Sequence, residues 1–218
     1  MNPINVGIIG VSGYTGAGLV KMLIMHPIFN LVYCANTEGG ARLSDLHPSL
    51  LGVCDMEVEK ADVARTAEVC ELVFLALPHK AAMQTAKGLL ERGVKVVDLS
   101  ADYRLNAENY EKAYCEHEDL DNLSHAVYSI PELHGKSAKG SRLVANPGCH
   151  VTATLLALSP FLEHIDLNQP IFVDSKTGVS GAGKSPSATV HYVNVNDNIN
   201  CYNIINHRHA TEIEQHAS

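Results

Sequence analysis

Tryptophan is absent from these 218 residues, and aromatic side chains make up only 6% of them. Charge is thin as well: 18% of residues are charged, and nowhere do Lys and Arg run together. With a formal net charge of -8, this argues against a nucleic-acid surface, which needs a basic face. A small anion remains compatible, since local groups can hold it against the global field. No CxxC occurs. The six cysteines (Cys34, Cys54, Cys70, Cys115, Cys149, Cys201) follow no regular spacing, which fits reduced thiols in a cytosolic protein better than a disulfide framework. The opening MNPINVGIIG has neither a basic start nor a cleavage site, so no signal peptide is expected. No apolar run approaches the ~20 residues needed to cross a bilayer. A cytoplasmic protein with neither membrane nor nucleic-acid partners is therefore expected. What is present is a 46% hydrophobic fraction, enough for a packed core. The length fits one large domain or two small ones.

The first half begins as strand, glycine turn and helix. Asn5–Ile9 is a short β-branched run, GVSGYTG follows from Gly10 to Gly16, and Ala17–Met25 is apolar and helical until His26-Pro27 stops it. The spacing is GxxGxxG rather than GxGxxG. Gly10 would permit the tight turn, Gly13 the approach of a phosphate, and Gly16 the close packing of helix on strand. The anion would sit on the N–H groups that open the helix, with Ser12, Tyr14 and Thr15 adding contacts. Leu31–Ala35 is a second strand at βαβ distance. An NAD enzyme would place Asp or Glu on the ribose at its end; here stand Asn36, Thr37 and Glu38, with Arg42 nearby. A non-acidic end beside an Arg suits a 2′-phosphate, so Thr37 and Arg42 point to NADP, and Glu38 keeps NAD as the alternative.

The wound pattern continues. Glu71–Leu77 reads as a strand ending in Pro78-His79, Lys80–Arg92 as a helix closed by Gly93, and Val94–Leu99 as a strand ending in Ser100-Ala101-Asp102. Such strand ends should face the cofactor crevice. His79 reads equally as a loop residue or cap, and Asp102 as a helix cap or a partner of Arg104. Gly39–Lys60 lies between these elements; Asp45-Leu46-His47-Pro48 in it reads as a loop or a short turn, with His47 structural rather than a ligand. Asn106–Leu123, polar, acidic and aromatic, reads as a surface excursion.

The stretch Leu143–Ala153 is LVANPGCHVTA. A short strand, Arg142–Ala145, is broken by Asn146-Pro147-Gly148, and a helix over Val151–Leu162 follows. Cys149 therefore stands at a helix start, where unpaired N–H groups and partial positive charge favour a reactive sulfur. A buried structural cysteine is the competing reading. Pro170–Asp174 then reads as a strand. SKTGVSGAGKSP, from Ser175 to Pro186, is a second glycine-rich loop whose N–H groups could face an anion or a nicotinamide. His207 and His209 could be half of a metal site, but no partner pair has ligand spacing, so no metal is expected. Either could instead serve Cys149 as acid and base.

Several of these segments together carry a resemblance. GVSGYTGAGLV at 10–20, SDLHPSL at 44–50, DLSADYRL at 98–105, NPGC at 146–149, TGVSGAGK at 177–184 and HRH at 207–209 resemble the N-acetyl-gamma-glutamyl-phosphate reductase family of arginine biosynthesis, related to aspartate-semialdehyde dehydrogenase. The resemblance implies a Rossmann-type, doubly wound parallel α/β sheet over 1–148, followed over 149–218 by an α+β substrate and dimerisation domain. It implies Cys149 as nucleophile, with His209 favoured over His207 as the acid–base group and His207 nearer the substrate anion. Gly13, Tyr14, Thr15 and Gly16 would hold the pyrophosphate, with Gly10 and Ser12 also among the cofactor-binding residues, and Ser180 and Gly181 would lie beside the nicotinamide. Arg104 and Asn146 would bind the substrate, a small-molecule acyl phosphate. A homodimer or homotetramer is implied too. Family members often carry Tyr-Pro after the cysteine; His150-Val151 stand there in this chain, and His150 reads as a substitution without a role. Members also continue well past Ser218, so the second domain is expected to be incomplete. Reductases of aspartyl or acetylaminoadipyl phosphate, and a non-enzymatic nucleotide-binding protein, remain as alternatives.

Overall fold

A computed structural model describes residues 2–204 and 206–217. The chain divides into two compact units, Met1–Pro147 and Gly148–Ser218.

Unit 1 is built on a sheet of eight strands: β1 (Ile4–Ile9), β2 (Phe29–Asn36), β3 (Ala41–Arg42), β4 (Glu57–Lys60), β5 (Leu72–Leu75), β6 (Lys95–Asp98), β7 (Val127–Tyr128) and β8 (Leu143–Ala145). Their order is β3-β4-β2-β1-β5-β6-β8-β7, and every pair is parallel except β3 with β4. The chain winds outward from β1 through β2 to β4, then returns to β1's other side as β5. The winding therefore reverses between β1 and β5, the place where doubly wound sheets open a ligand crevice.

β1 shows why its sequence is almost wholly apolar. Val6 and Ile8 face one core, with Val20 and Leu23 of the helix Tyr14–Leu23 and with Leu43 and Leu50. Ile9 faces the other core, with Val73, Leu75 and the residues Ala82, Met83, Ala86 and Leu89 of the helix Ala81–Glu91. A strand covered on both faces cannot alternate polar and apolar. The helix Ala81–Glu91 ends before Gly93, whose φ of +84° is the left-handed stop that the sequence implied.

Three sequence expectations need correction. The segment Asn106–Leu123 is not a surface excursion. Tyr110 is wholly buried beside the similarly buried Tyr103, and Tyr110 donates its hydroxyl to Asp102 Oδ1 at 2.8 Å. Gly39–Lys60, where the sequence suggests only a loop or short turn, supplies β3 and β4 at one edge of the sheet. Pro170–Asp174 forms no strand: Phe172 is 94% exposed, and the segment pairs with no other strand among the described residues. An apolar β-branched run becomes a strand only beside a partner that takes its N–H and C=O groups.

Among the described residues, unit 2 holds two ten-residue helices, Cys149–Leu158 and Arg208–Ala217, joined by largely irregular chain. That chain holds only short elements, such as the one-turn helix Tyr192–Val195 and the turn Val179–Ala182, and is mostly exposed.

Candidate active site

In unit 1 the glycine loop lies at the carboxyl end of β1. The three glycines differ in what surrounds them. Gly10 has φ +101°, and a Cβ there would stand 2.3 Å from the Ala76 carbonyl oxygen. A Cβ on Gly16 would meet Gly10 O at 2.4 Å and Val11 Cα at 2.6 Å, so the helix touches the turn after β1 through backbone alone. A Cβ on Gly13 would meet nothing nearer than Gly10 O at 4.0 Å. Gly13 thus caps the helix Tyr14–Leu23 from an open position, with no side chain bonded to the helix's first N–H groups and no acidic residue in its first turn. Tyr14 and Thr15 open that helix, and Tyr14 is half exposed.

The neighbouring strand end is tied to this loop. Asn36 Nδ2 donates to Ser12 Oγ at 2.8 Å, and its Oδ1 accepts from the Glu38 and Gly39 N–H groups at 2.9 and 2.6 Å. Thr37 is exposed beside it. Arg42 is exposed on β3, where its guanidinium binds Asp55 Oδ2 at 2.8 Å and the Asp55 carbonyl at 3.0 Å. Ser44 and Arg42 together hold the Asp55 carboxyl below the usual carboxylate range.

The loop after β6 is buried and heavily bonded. Ser100 donates its N–H and hydroxyl to Asp98, at 3.0 and 2.6 Å. Burial nevertheless pushes the Asp98 carboxyl up to about 6. Both oxygens of Asp102 accept the Lys80 N–H, at 2.9 and 2.8 Å, and Oδ2 also takes the Met83 N–H at 2.8 Å. Asp102 therefore caps the helix Ala81–Glu91 from outside and holds Lys80 at φ +71°. A residue that is not glycine keeps such a φ only when its surroundings impose it. His79, next in the chain, is exposed and packs its ring edge against Tyr114 at 5.3 Å. Arg104 is 8% exposed and donates from Nε to the Asn146 carbonyl and from Nη2 to the Leu99 carbonyl, both at 2.7 Å. It thereby joins the ends of β6 and β8. Asn146 is exposed, and its backbone N–H donates to the Asp98 carbonyl at 2.8 Å.

Unit 2 gathers the thiol and imidazoles. Cys149 is the first residue of its helix, is exposed, and follows the buried Gly148 cap. Two residues of the helix Arg208–Ala217 meet that cap. Glu212, 1% exposed, accepts the Gly148 N–H at 2.9 Å, and the His209 ring lies so close that a Cβ on Gly148 would stand 2.7 Å from Nε2. His209 and Glu212 are one turn apart, which puts them on one helix face. The His207 and His209 rings are 4.8 Å apart, and His207 Nδ1 accepts the His209 N–H at 3.1 Å. That acceptor nitrogen carries no proton, so the remaining one of a neutral ring sits on Nε2. Burial first, then His150 and Arg208, push His207 below the usual histidine range, which keeps it neutral.

His150 and Glu212 are the residues that sequence reasoning passed over. His150 touches a hydroxyl on each side, Ser175 Oγ at 2.5 Å from Nδ1 and Tyr202 OH at 2.8 Å from Nε2. Its ring centroid lies 5.3 Å from that of His207 and 5.7 Å from that of His209. Ser180 and Gly181 are exposed in the turn Val179–Ala182 of the second glycine loop. Among the described residues no three His, Cys, Asp or Glu side chains converge as a metal-binding set, and no helix is long and apolar enough to cross a membrane.

Residues 5–141 match the family model for the semialdehyde dehydrogenase NAD binding domain, and residues 149–218 match the model for its dimerisation domain. The chain belongs to the semialdehyde dehydrogenase family. It is 59% identical, over 97% of its length, to N-acetyl-gamma-glutamyl-phosphate reductase of Sulfurovum sp. (strain NBC37-1), and 58% identical over 99% to the protein of the same name from Sulfurimonas denitrificans. It covers 63% and 64% of those two relatives, so it spans a little under two thirds of their length. Among solved structures, aspartate semialdehyde dehydrogenase from Candida albicans with NADP matches 74% of the chain at a TM-score of 0.54 and 17% identity, the chain covering 47% of it. Aspartate semialdehyde dehydrogenase II from Vibrio cholerae, complexed with ASA, matches 75% at 0.53 and 16%, with 48% covered. These two share the fold. A Rossmann NAD-binding domain followed by a dimerisation domain is thus the architecture of this family member.

Proposed function

We propose that this chain carries the catalytic residues of an NADPH-dependent reductase of N-acetyl-gamma-glutamyl phosphate, in arginine biosynthesis. The observation that carries the reading is the exposed Cys149 at a helix start whose glycine cap is held by Glu212 and packed by His209. The names of the relatives supply the substrate.

The glycine loop suits a dinucleotide: Gly13 leaves open the space that a phosphate needs, before a helix that has no side-chain cap hydrogen bond. Gly10, Ser12, Gly13, Tyr14, Thr15 and Gly16 would hold the pyrophosphate there. Thr37 would face the 2′-phosphate; Arg42 would have to share its guanidinium with Asp55 to do so. Ser180 and Gly181 would border the nicotinamide. When bound, NADPH supplies the hydride.

The chain's own residues do the remaining chemistry. The Cys149 sulfur, as thiolate, attacks the acyl carbon, and the carbon–oxygen bond to phosphate breaks. Phosphate leaves and a thioester remains on Cys149. N–H groups at the start of the helix Cys149–Leu158 hold the oxyanion. His209 protonates the oxygen formed on reduction and takes the proton back as the carbon–sulfur bond breaks, which releases the aldehyde and the thiolate. His207, held neutral with its proton on Nε2, donates that proton to the substrate anion as a hydrogen bond. The Arg104 guanidinium steadies the Asn146 turn, and by the family resemblance Arg104 and Asn146 would bind the substrate. The assembly is a homodimer or homotetramer in the cytoplasm; the dimerisation-domain match and six free thiols favour this.

The test is Cys149→Ser, assayed by phosphate-dependent oxidation of N-acetylglutamate semialdehyde. Turnover should fall at least ~1,000-fold with NADPH binding unchanged. Substantial residual turnover would sink the nucleophile, and equal rates with aspartate semialdehyde would sink the substrate.

A further inference from the structure

His47 belongs to none of the groups assigned above. It sits between β3 and β4, is 6% exposed, and brings Nε2 to 2.6 Å from the Val11 carbonyl oxygen. A carbonyl can only accept, so Nε2 carries the proton. We infer that His47 is a positioning residue of the anion-binding loop. The inference rests on the cofactor reading above and assigns a residue that the glycine pattern does not contain.

Val11 lies in the loop's first turn. Its carbonyl shares one planar trans peptide with the Ser12 N–H, so turning the oxygen toward His47 turns that N–H the other way. The rest of the turn is held independently. The Gly10 and Val11 N–H groups both donate to the Ala35 carbonyl, at 2.8 and 3.2 Å, and Ser12 Oγ accepts from Asn36. His47 completes this set from the opposite strand connection. Its own backbone is firm: its N–H donates to the Leu43 carbonyl at 2.8 Å, Pro48 follows, and Leu43 and Leu50 are buried to either side. The imidazole therefore has a fixed base from which to set the Val11–Ser12 peptide. Amides aimed before the ligand arrives lose less on binding than amides that must be ordered by it.

The experiment compares His47→Leu and His47→Gln in the full chain. Calorimetry measures the affinity for NADPH and for 2′-AMP, which carries the adenosine end without a pyrophosphate. Gln can place an amide N–H near the Nε2 position; Leu cannot. His47→Leu should weaken NADPH about tenfold, the worth of one buried hydrogen bond. His47→Gln should stay within about threefold, and 2′-AMP should bind all variants alike. Should His47→Leu fail to fold, His47→Asn replaces it, since Asn reaches only the Nδ1 position and should weaken NADPH where Gln does not. Unchanged NADPH affinity without the Nε2 donor overturns the inference. So does equal weakening of both ligands, which marks general loosening, and so does failure of Gln to rescue. If the wild-type chain binds no NADPH, the cofactor reading falls first and takes this inference with it.

Discussion

The two units hold their functional groups by different means. In unit 1 the loops are fixed by buried and partly buried hydrogen bonds to backbone. Asp102 holds the Lys80 and Met83 N–H groups, Arg104 the Leu99 and Asn146 carbonyls, and Asn36 the Glu38 and Gly39 N–H groups. In unit 2 the imidazoles pack against a glycine and against one another, His150 and His207 add hydrogen bonds to Ser175, Tyr202 and the His209 N–H, and the buried Glu212 carboxylate holds the glycine. A buried bond that is lost leaves an unsatisfied polar group and costs stability. A displaced terminal ring loses its position while the fold survives. Substitutions in unit 1 should therefore appear first in stability, and those in unit 2 first in turnover.

Gly148→Ala is the sharpest way to break that comparison. Gly148 has φ -66° and ψ 151°, which alanine adopts freely. The new methyl would lie 2.7, 2.9 and 3.0 Å from three atoms of the His209 ring. The ring is the far end of its side chain and can swing away, so the melting temperature should fall by only a few degrees. Turnover should drop ~100-fold, about 2.7 kcal/mol in the barrier. Large destabilisation with near-normal specific activity of the folded fraction would mean that the ring's place does not matter.

Much of unit 1 is legible in its sequence because its periodicity and its glycines each carry one constraint. Gly10 needs a positive φ, Gly16 needs backbone contact, and neither depends on distant chain beyond the adjacent strand. The misreading of Asn106–Leu123 has a specific cause. Tyr, Asp and His in one stretch look like solvated surface, yet here Tyr103 donates to Asp119 at 2.7 Å and His117 Nε2 stands 2.7 Å from the Asp102 carbonyl, all inside the core. Composition cannot show that polar atoms have found one another. In unit 2, His150 reads from the sequence as a substitution without a role, since neighbours on a helix face apart. The ring meets Tyr202 and His207 instead, which arrive from chain about fifty residues on and leave no local signal.

Asp98 tests the unit 1 side of the comparison. Its carboxyl rises from an ordinary 3.8 to about 6 because burial disfavours the charge. The folded state thus holds a proton that the unfolded state gives up. This contribution is complete below about pH 4 and is lost as pH rises through about 6, a loss of up to about 3 kcal/mol. Asp98→Asn should flatten that part of the stability curve between pH 4 and 7, read from urea midpoints. A slope identical to wild type would show that the buried carboxyl is not the group responsible.

The smallest expected effect sharpens the unit 2 side. His150→Phe keeps an aromatic ring beside Tyr202 and His207 but removes both hydroxyl contacts. Those contacts are exposed, so stability should change by under ~1 kcal/mol and kcat by only a few-fold. The pH profile is the more telling measurement. His207 is held below the usual histidine range first by burial and then by His150. With His150 gone, His207 should protonate at a higher pH. A protonated Nδ1 can no longer accept the His209 N–H, so activity should begin to fall at a higher pH on the acid side. An acid limb that stays in place, or moves to lower pH, would show that His150 does not act on His207. The imidazole next to Cys149 would then be a surface contact between Ser175 and Tyr202 and nothing more.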